Sequence, residues 1–129
     1  MREEMMKSLL MGLMLLLVSG AASAEWTNVS RTDGSIQYVD IATIRRSGNF
    51  VKMWSLTDYI KVGVTNQSSR SQWEFDCKEE KFRSLAQTTF SGQMLSGTLN
   101  YTDSDTGKWV PIAPDTFSEI MWKIACGKK

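Results

Sequence analysis

Histidine is absent from the 129 residues, and cysteine appears only twice, as Cys77 and Cys126. Without imidazole there is no Ser-His-Asp or Cys-His nucleophile, no histidine general base and no zinc site of the imidazole type. An excess of charge of one sign is lacking too: 15 basic residues face 14 acidic ones, for a formal charge of +1. A nucleic-acid binder usually carries a marked basic excess, so that class is set aside. No low-complexity tract or internal repeat is present. Gly92 and Gly97 have the gap of a phosphate loop, but Thr98 stands where lysine is required. Asp103 and Asp105 open like a calcium loop, yet Gly107 falls at the third ligand position and Pro114 at the closing glutamate. The pair Glu79 and Glu80 points to opposite sides of an extended chain, which suits a turn better than acid-base work. Neither a cofactor nor a metal is expected, and a carboxylate hydrolase is the remote enzymatic reading.

One long apolar run does occur, at the start. Lys7 precedes residues 9–18, all apolar but for Gly12, and Ala22-Ser23-Ala24 follows with the small-x-small pattern that signal peptidase accepts. Glu3 and Glu4 are odd for such a leader, and a start at Met5 or Met6 would give a more usual one. The run is shorter than the roughly 20 residues needed to span a bilayer. These features predict cleavage after Ala24, leaving residues 25–129 as a single exported domain. Glu25 offers no cysteine for a lipid anchor, so the expected product is soluble, periplasmic or secreted, with no membrane span.

Along the rest of the chain the signal is mostly strand. Residues 25–30 and 35–39 flank Thr32-Asp33-Gly34, the pattern of a hairpin. A second turn at Ser47-Gly48-Asn49 joins a short run over residues 43–46 to a longer one over 50–59, whose large side chains fall on both faces. The polar residues 65–71 predict a mobile loop. Next, Trp73, Phe75 and Cys77 alternate with Gln72, Glu74, Asp76 and Lys78, as in a half-buried antiparallel strand with Cys77 facing the core. Strands over 81–91 and 94–102 complete about six, and their short links favour an antiparallel meander.

A helix closes the sequence. Thr116 and Glu119 have capping-box spacing, Pro114 suits the approach to a helix, and Gly127 is a natural stop after Cys126. Its apolar arc centres on Phe117, Ile120, Met121 and Ile124, with Cys126 at the edge. Two cysteines in apolar settings downstream of an export signal predict a Cys77–Cys126 disulfide.

What is left is surface recognition. Of five tryptophans, Trp73 and Trp122 suit the core, whereas Trp54 and Trp109 are the candidates for exposure, with a core place the plainer reading for Trp54. Arg45, Arg46 and Lys52 form a compact basic cluster across a tight turn, for which solvated charge is the plain alternative.

Taken in order, Tyr38-Val39-Asp40, Thr43-Ile44, Gly48, Met53-Trp54-Ser55-Leu56 with Asp58-Tyr59, Glu74-Phe75-Asp76-Cys77 and Trp109-Val110-Pro111-Ile112 before a helix ending in Cys126 resemble the surface-adhesin protein E family of Gram-negative bacteria. The resemblance implies an α+β fold: an antiparallel sheet of about six strands with a C-terminal helix on one face, tethered through Cys77 and Cys126. It also implies a non-enzymatic binding module for host matrix or plasma proteins. An accessory protein docking on an envelope partner is the alternative. With one sheet face left open, the expected partner site is the hairpin region of Arg45, Arg46 and Lys52, with Trp54 or Tyr59 as aromatic anchor. Homodimerisation through the same face is its rival.

Overall fold

The computed structural model describes residues 24–60, 63 and 65–129. The expected export segment, Ala24 apart, lies outside the described residues. Seven strands form one antiparallel sheet: β1 (Thr27–Arg31), β2 (Ser35–Ser47), β3 (Phe50–Tyr59), β4 (Ser68–Asp76), β5 (Lys81–Phe90), β6 (Leu99–Asp103) and the two-residue β7 (Val110–Pro111). The order is β1-β2-β3-β4-β5-β6, with β7 also pairing β5. From β1 to β6 each strand lies beside its neighbour in sequence, as short links favour, and only β7 returns past β6 to β5. Helix α1 (Phe117–Cys126) packs across one face. The expected α+β class, sheet, helix and disulfide are all present.

Alternation along β3 decides which side chains meet the helix. Val51 and Met53 are fully buried on the helix face, beside Val39 of β2 and Phe75 of β4. Met121, Trp122 and Ala125 of α1 cover them. The helix is therefore turned relative to the expected arc: Phe117, Ile120 and Ile124 are half-buried, and Trp122 takes a central place. Its indole Nε1 donates to the Asp76 carbonyl at 3.0 Å, which satisfies a polar atom that burial would otherwise penalise. Trp73, half-buried against the same core, donates through Nε1 to Ser55 Oγ at 2.7 Å.

Thr116 caps α1 by accepting from the Glu119 N–H at 3.2 Å. Gly127 ends it with φ of 68°, and the Lys128 N–H donates to the Lys123 carbonyl at 2.8 Å, the closing bond of a Schellman motif. Cys126, the last helical residue, bonds Cys77 just past β4, with the Cα atoms 5.6 Å apart. No frayed last turn is needed to reach the sheet.

Three expectations need correction. Residues 35–39 and 43–46 are not separate runs but parts of β2, interrupted between Asp40 and Arg45. There Asp40 Oδ1 accepts from the Ala42 N–H, and Thr43 Oγ1 accepts from the Trp54 N–H at 3.0 Å, so side chains replace the missing ladder partners. The expected loop over 65–71 is shorter, because β4 starts at Ser68. Ser68, Ser69 and Ser71 are buried, and Ser68 Oγ donates to the Gly92 carbonyl and accepts from the Leu95 N–H. The expected strand over 94–102 begins only at Leu99. Met94 and Leu95 sit in a 3-10 turn with positive φ, held by the Met94 N–H bond to Asp58 Oδ1 at 2.9 Å.

Among the described residues no helix is long and apolar enough to cross a membrane.

Candidate functional site on the open sheet face

Opposite the helix, the register lines up side chains from four strands. Arg45 pairs Lys52, Lys52 pairs Glu74, and Glu74 pairs Arg83, so one row crosses β2 to β5. At about 4.8 Å between strands, neighbouring members are within mutual reach. The next row runs Asp40, Trp54, Gln72 and Ala86. The far end of this face is closed by the 3-10 turn packed on β3, β4 and β5, beside buried Asp58 and Ser68. At the end near the β2–β3 hairpin, Arg45, Phe50 and Lys52 stay exposed, with Trp109 packed beside them.

Its charges are ordered by rings. Arg70 lies over Trp54 at 5.2 Å, and Arg83 and Lys81 over Trp109 at 4.3 and 5.3 Å. Phe50, 41% exposed, sits 5.8 Å from Trp109. Arg83 also pairs Glu74 at 2.6 Å, a charge-assisted bond that fixes both side chains. The cation-π contacts are each worth about 0.5–1 kcal/mol at such sites, and their larger effect is to hold long side chains in defined positions.

Two clefts open on this face. One, of about 140 Å3, is lined by Arg45, Arg46, Ser47, Phe50, Lys52 and Glu74. The other, of about 310 Å3, is lined by Ala24, Trp26, Asp40, Thr43, Trp54 and Arg70. Asp40 is only 4% exposed; Oδ1 is bonded to Ala42, and Oδ2 has no partner among the described side chains and amides.

The residues singled out in the sequence divide between the two faces. Arg45, Lys52 and Trp54 come together on the open one. Arg46 pairs Val51 and turns toward the helix, where its Nη2 donates to the Cys126 carbonyl at 3.3 Å. Tyr59, five positions from Trp54 along an unbroken strand, projects from the helix side at the far end of β3. Trp26, Asp40, Phe50, Arg70 and Arg83 were not singled out. Arg70 was read as part of the loop over 65–71, and the others need the register, which single-strand periodicity does not carry. Among the described residues no three histidine, cysteine or carboxylate side chains gather as metal ligands.

One antiparallel sheet, a helix locked to one face by a disulfide, and a second face bearing aromatic and charged side chains define a small α+β module. Residues 26–127 match the surface-adhesin protein E family, and the chain belongs to that family. Membership supports an adhesin-like role in an exported or surface setting. The structure resembles Haemophilus influenzae protein E in its crystal form II, with a TM-score of 0.56 at 14% identity, covering 82% of this chain and 97% of that one. It also resembles protein E from non-typeable Haemophilus influenzae, with a TM-score of 0.51 at 13% identity, covering 81% and 86%. These likenesses are of fold. No curated protein matches the sequence.

Proposed function

We infer that this chain is an exported, non-enzymatic binding module of adhesin type, released as a soluble protein after cleavage at Ala24, which engages a macromolecular partner through the open sheet face. The observation that carries the reading is the grouping of Trp54, Arg45 and Lys52 on the face that the helix leaves uncovered, in a chain of an adhesin family. Trp54 acts as anchor, and Arg45 and Lys52 supply steering and rim contacts. A host matrix or plasma component is the favoured partner. The second reading, docking on an envelope protein, is favoured by Glu25 in place of a lipid-accepting cysteine after Ala24.

The test is capture by the exported protein from host matrix and plasma and, in parallel, from envelope extract, with surface labelling of intact cells to separate the two settings. Trp54→Ala should cost about 2 kcal/mol of partner affinity, whereas Arg45→Ala should chiefly slow association, and less so at high salt. Unchanged affinity in both variants refutes the site. A dimer in sedimentation that is lost in Trp54→Ala would assign the face to self-association instead.

A further inference from the structure

The two clefts differ in chemistry, and together they narrow the ligand. The smaller has cationic walls, Arg45 and Lys52, around the exposed ring of Phe50. Its only carboxylate, Glu74, is already paired with Arg83. The larger, whose Ala24 wall leaves with the expected leader, keeps two indoles, Trp26 and Trp54, and the carboxylate of Asp40, whose Oδ2 has no partner among the described side chains and amides; its Thr43 hydroxyl is already bonded to the Asp40 carbonyl and the Trp54 N–H. The clefts are adjacent: Lys52 and Trp54 are two residues apart on one strand face, roughly 7 Å. An acidic peptide would satisfy the first, but a run of carboxylates offers Asp40 in the second no hydroxyl donor to offset the repulsion. Nor could it add to the sheet here, since β2, β3, β4 and β5 are each paired on both sides. A single-stranded nucleic acid binds by stacking bases on free rings, but Arg70 already covers Trp54, and Arg83 and Lys81 cover Trp109.

A ligand carrying both anionic groups and hydroxyl donors on apolar-faced rings satisfies every part. We propose that the open face binds an anionic polysaccharide, with sulfate or carboxylate groups at Arg45 and Lys52 and a neighbouring sugar ring between Trp26 and Trp54, donating a hydroxyl to Asp40. The exposed ring of Phe50 receives the C–H surface of a sugar on its face. Such chains occur on matrix glycoconjugates, so this proposal rests on the open-face reading above and names the part of the partner that is recognised.

The probe is heparin, titrated against the exported protein over a range of salt, beside desulfated heparin, polyglutamate of matched charge and single-stranded DNA. Heparin should bind at least ~10-fold more tightly than the other three. Arg45→Ala with Lys52→Ala should weaken heparin binding ~10-fold and reduce the slope of log affinity against log salt by roughly two, one counterion for each lost cation. Both side chains are exposed, and the Arg45 bonds to the Ala42 and Ile44 carbonyls are exposed too, so the denaturation midpoint should move little.

Asp40→Asn separates sugar recognition from bulk charge. It keeps an Oδ1 for the Ala42 N–H and removes the free carboxylate oxygen, so it should weaken both heparin and desulfated heparin. If the ligand were read as charge alone, losing a carboxylate would tighten heparin instead. Tighter binding in Asp40→Asn, equal binding of polyglutamate or DNA, or no effect of the Arg45 and Lys52 pair overturns the proposal. Should heparin fail while Trp54→Ala still abolishes capture of a matrix component, only the polysaccharide assignment falls. Should neither respond to changes on this face, the open-face reading falls with it.

Discussion

Replacing Cys77 and Cys126 together by serine removes the one covalent link between helix and sheet without leaving a lone thiol. The bridge spans 49 positions. Releasing a loop of that size raises the entropy of the unfolded chain by an amount worth about 4 kcal/mol in the chain-entropy model, a large share of the 5–15 kcal/mol typical of a domain. The folded helix keeps its other attachments. Met121, Trp122 and Ala125 remain buried, each larger side chain contributing about 1.5–3 kcal/mol, and the Trp122 indole still bonds the Asp76 carbonyl. The variant should therefore fold with its helix docked and unfold more easily. With a urea slope of about 1.5–2 kcal/mol/M, the midpoint should fall by roughly 2–3 M. Near-ultraviolet circular dichroism checks the docked state and urea denaturation the stability. A midpoint shift below about 0.5 M, or loss of the tryptophan signal before unfolding, would refute the reasoning. The first would show that the unfolded chain gains little freedom, the second that the bond itself seats the helix.

Thr116→Ala deletes the oxygen that accepts the Glu119 N–H and should cost about 1 kcal/mol by denaturation. Gly127→Ala should cost about 1–2 kcal/mol although a Cβ there meets nothing within 4 Å, because the φ of 68° is itself unfavourable for an L side chain; a cost near zero would mean that the helix terminus refolds around it. Amino-terminal sequencing of exported protein should read Glu25-Trp26-Thr27, and a sequence starting upstream would refute cleavage after Ala24.

How far the sequence discloses the fold depends on whether a residue's neighbours in the chain are also its neighbours in space. The β2–β3 hairpin was legible because Gly48, at φ of 61°, opens a two-residue turn that can be read locally. The α1 boundaries were legible for the same reason, since Thr116 and Gly127 act within a few residues of themselves. Ser68, Ser69 and Ser71 misled because a serine-rich run signals loop, whereas here small hydroxyls fit within the central sheet and find partners at Gly92 and Leu95. Met94 and Leu95 misled in the opposite sense. Their apolar character suggests strand, but buried Asp58 and Ser68, distant in sequence, bind their amides into a turn. The candidate surface was half visible. Arg45, Lys52 and Trp54 share one face of a hairpin, while Arg70, Arg83 and Asp40 join them only through the pairing of β2 to β5 and the irregularity after Asp40.

The links that fasten α1, the disulfide and the Trp122 bond to Asp76 at one end of β4 and the Arg46 bond to the Cys126 carbonyl from the adjoining end of β2, all hold its C-terminal half. The first turn of the helix has no comparable hold: residues 117–120 are half-buried. A lever pinned at one end opens from the other. Amide exchange should accordingly be graded along α1, fastest around Ser118 to Ile120 and slowest near Ala125, with the exchange barrier set by apolar contact in the first turns and by covalent attachment in the last. Each opening would uncover Met53 and Phe75 only briefly, because the pinned end keeps the helix at a high effective concentration over the surface it has left.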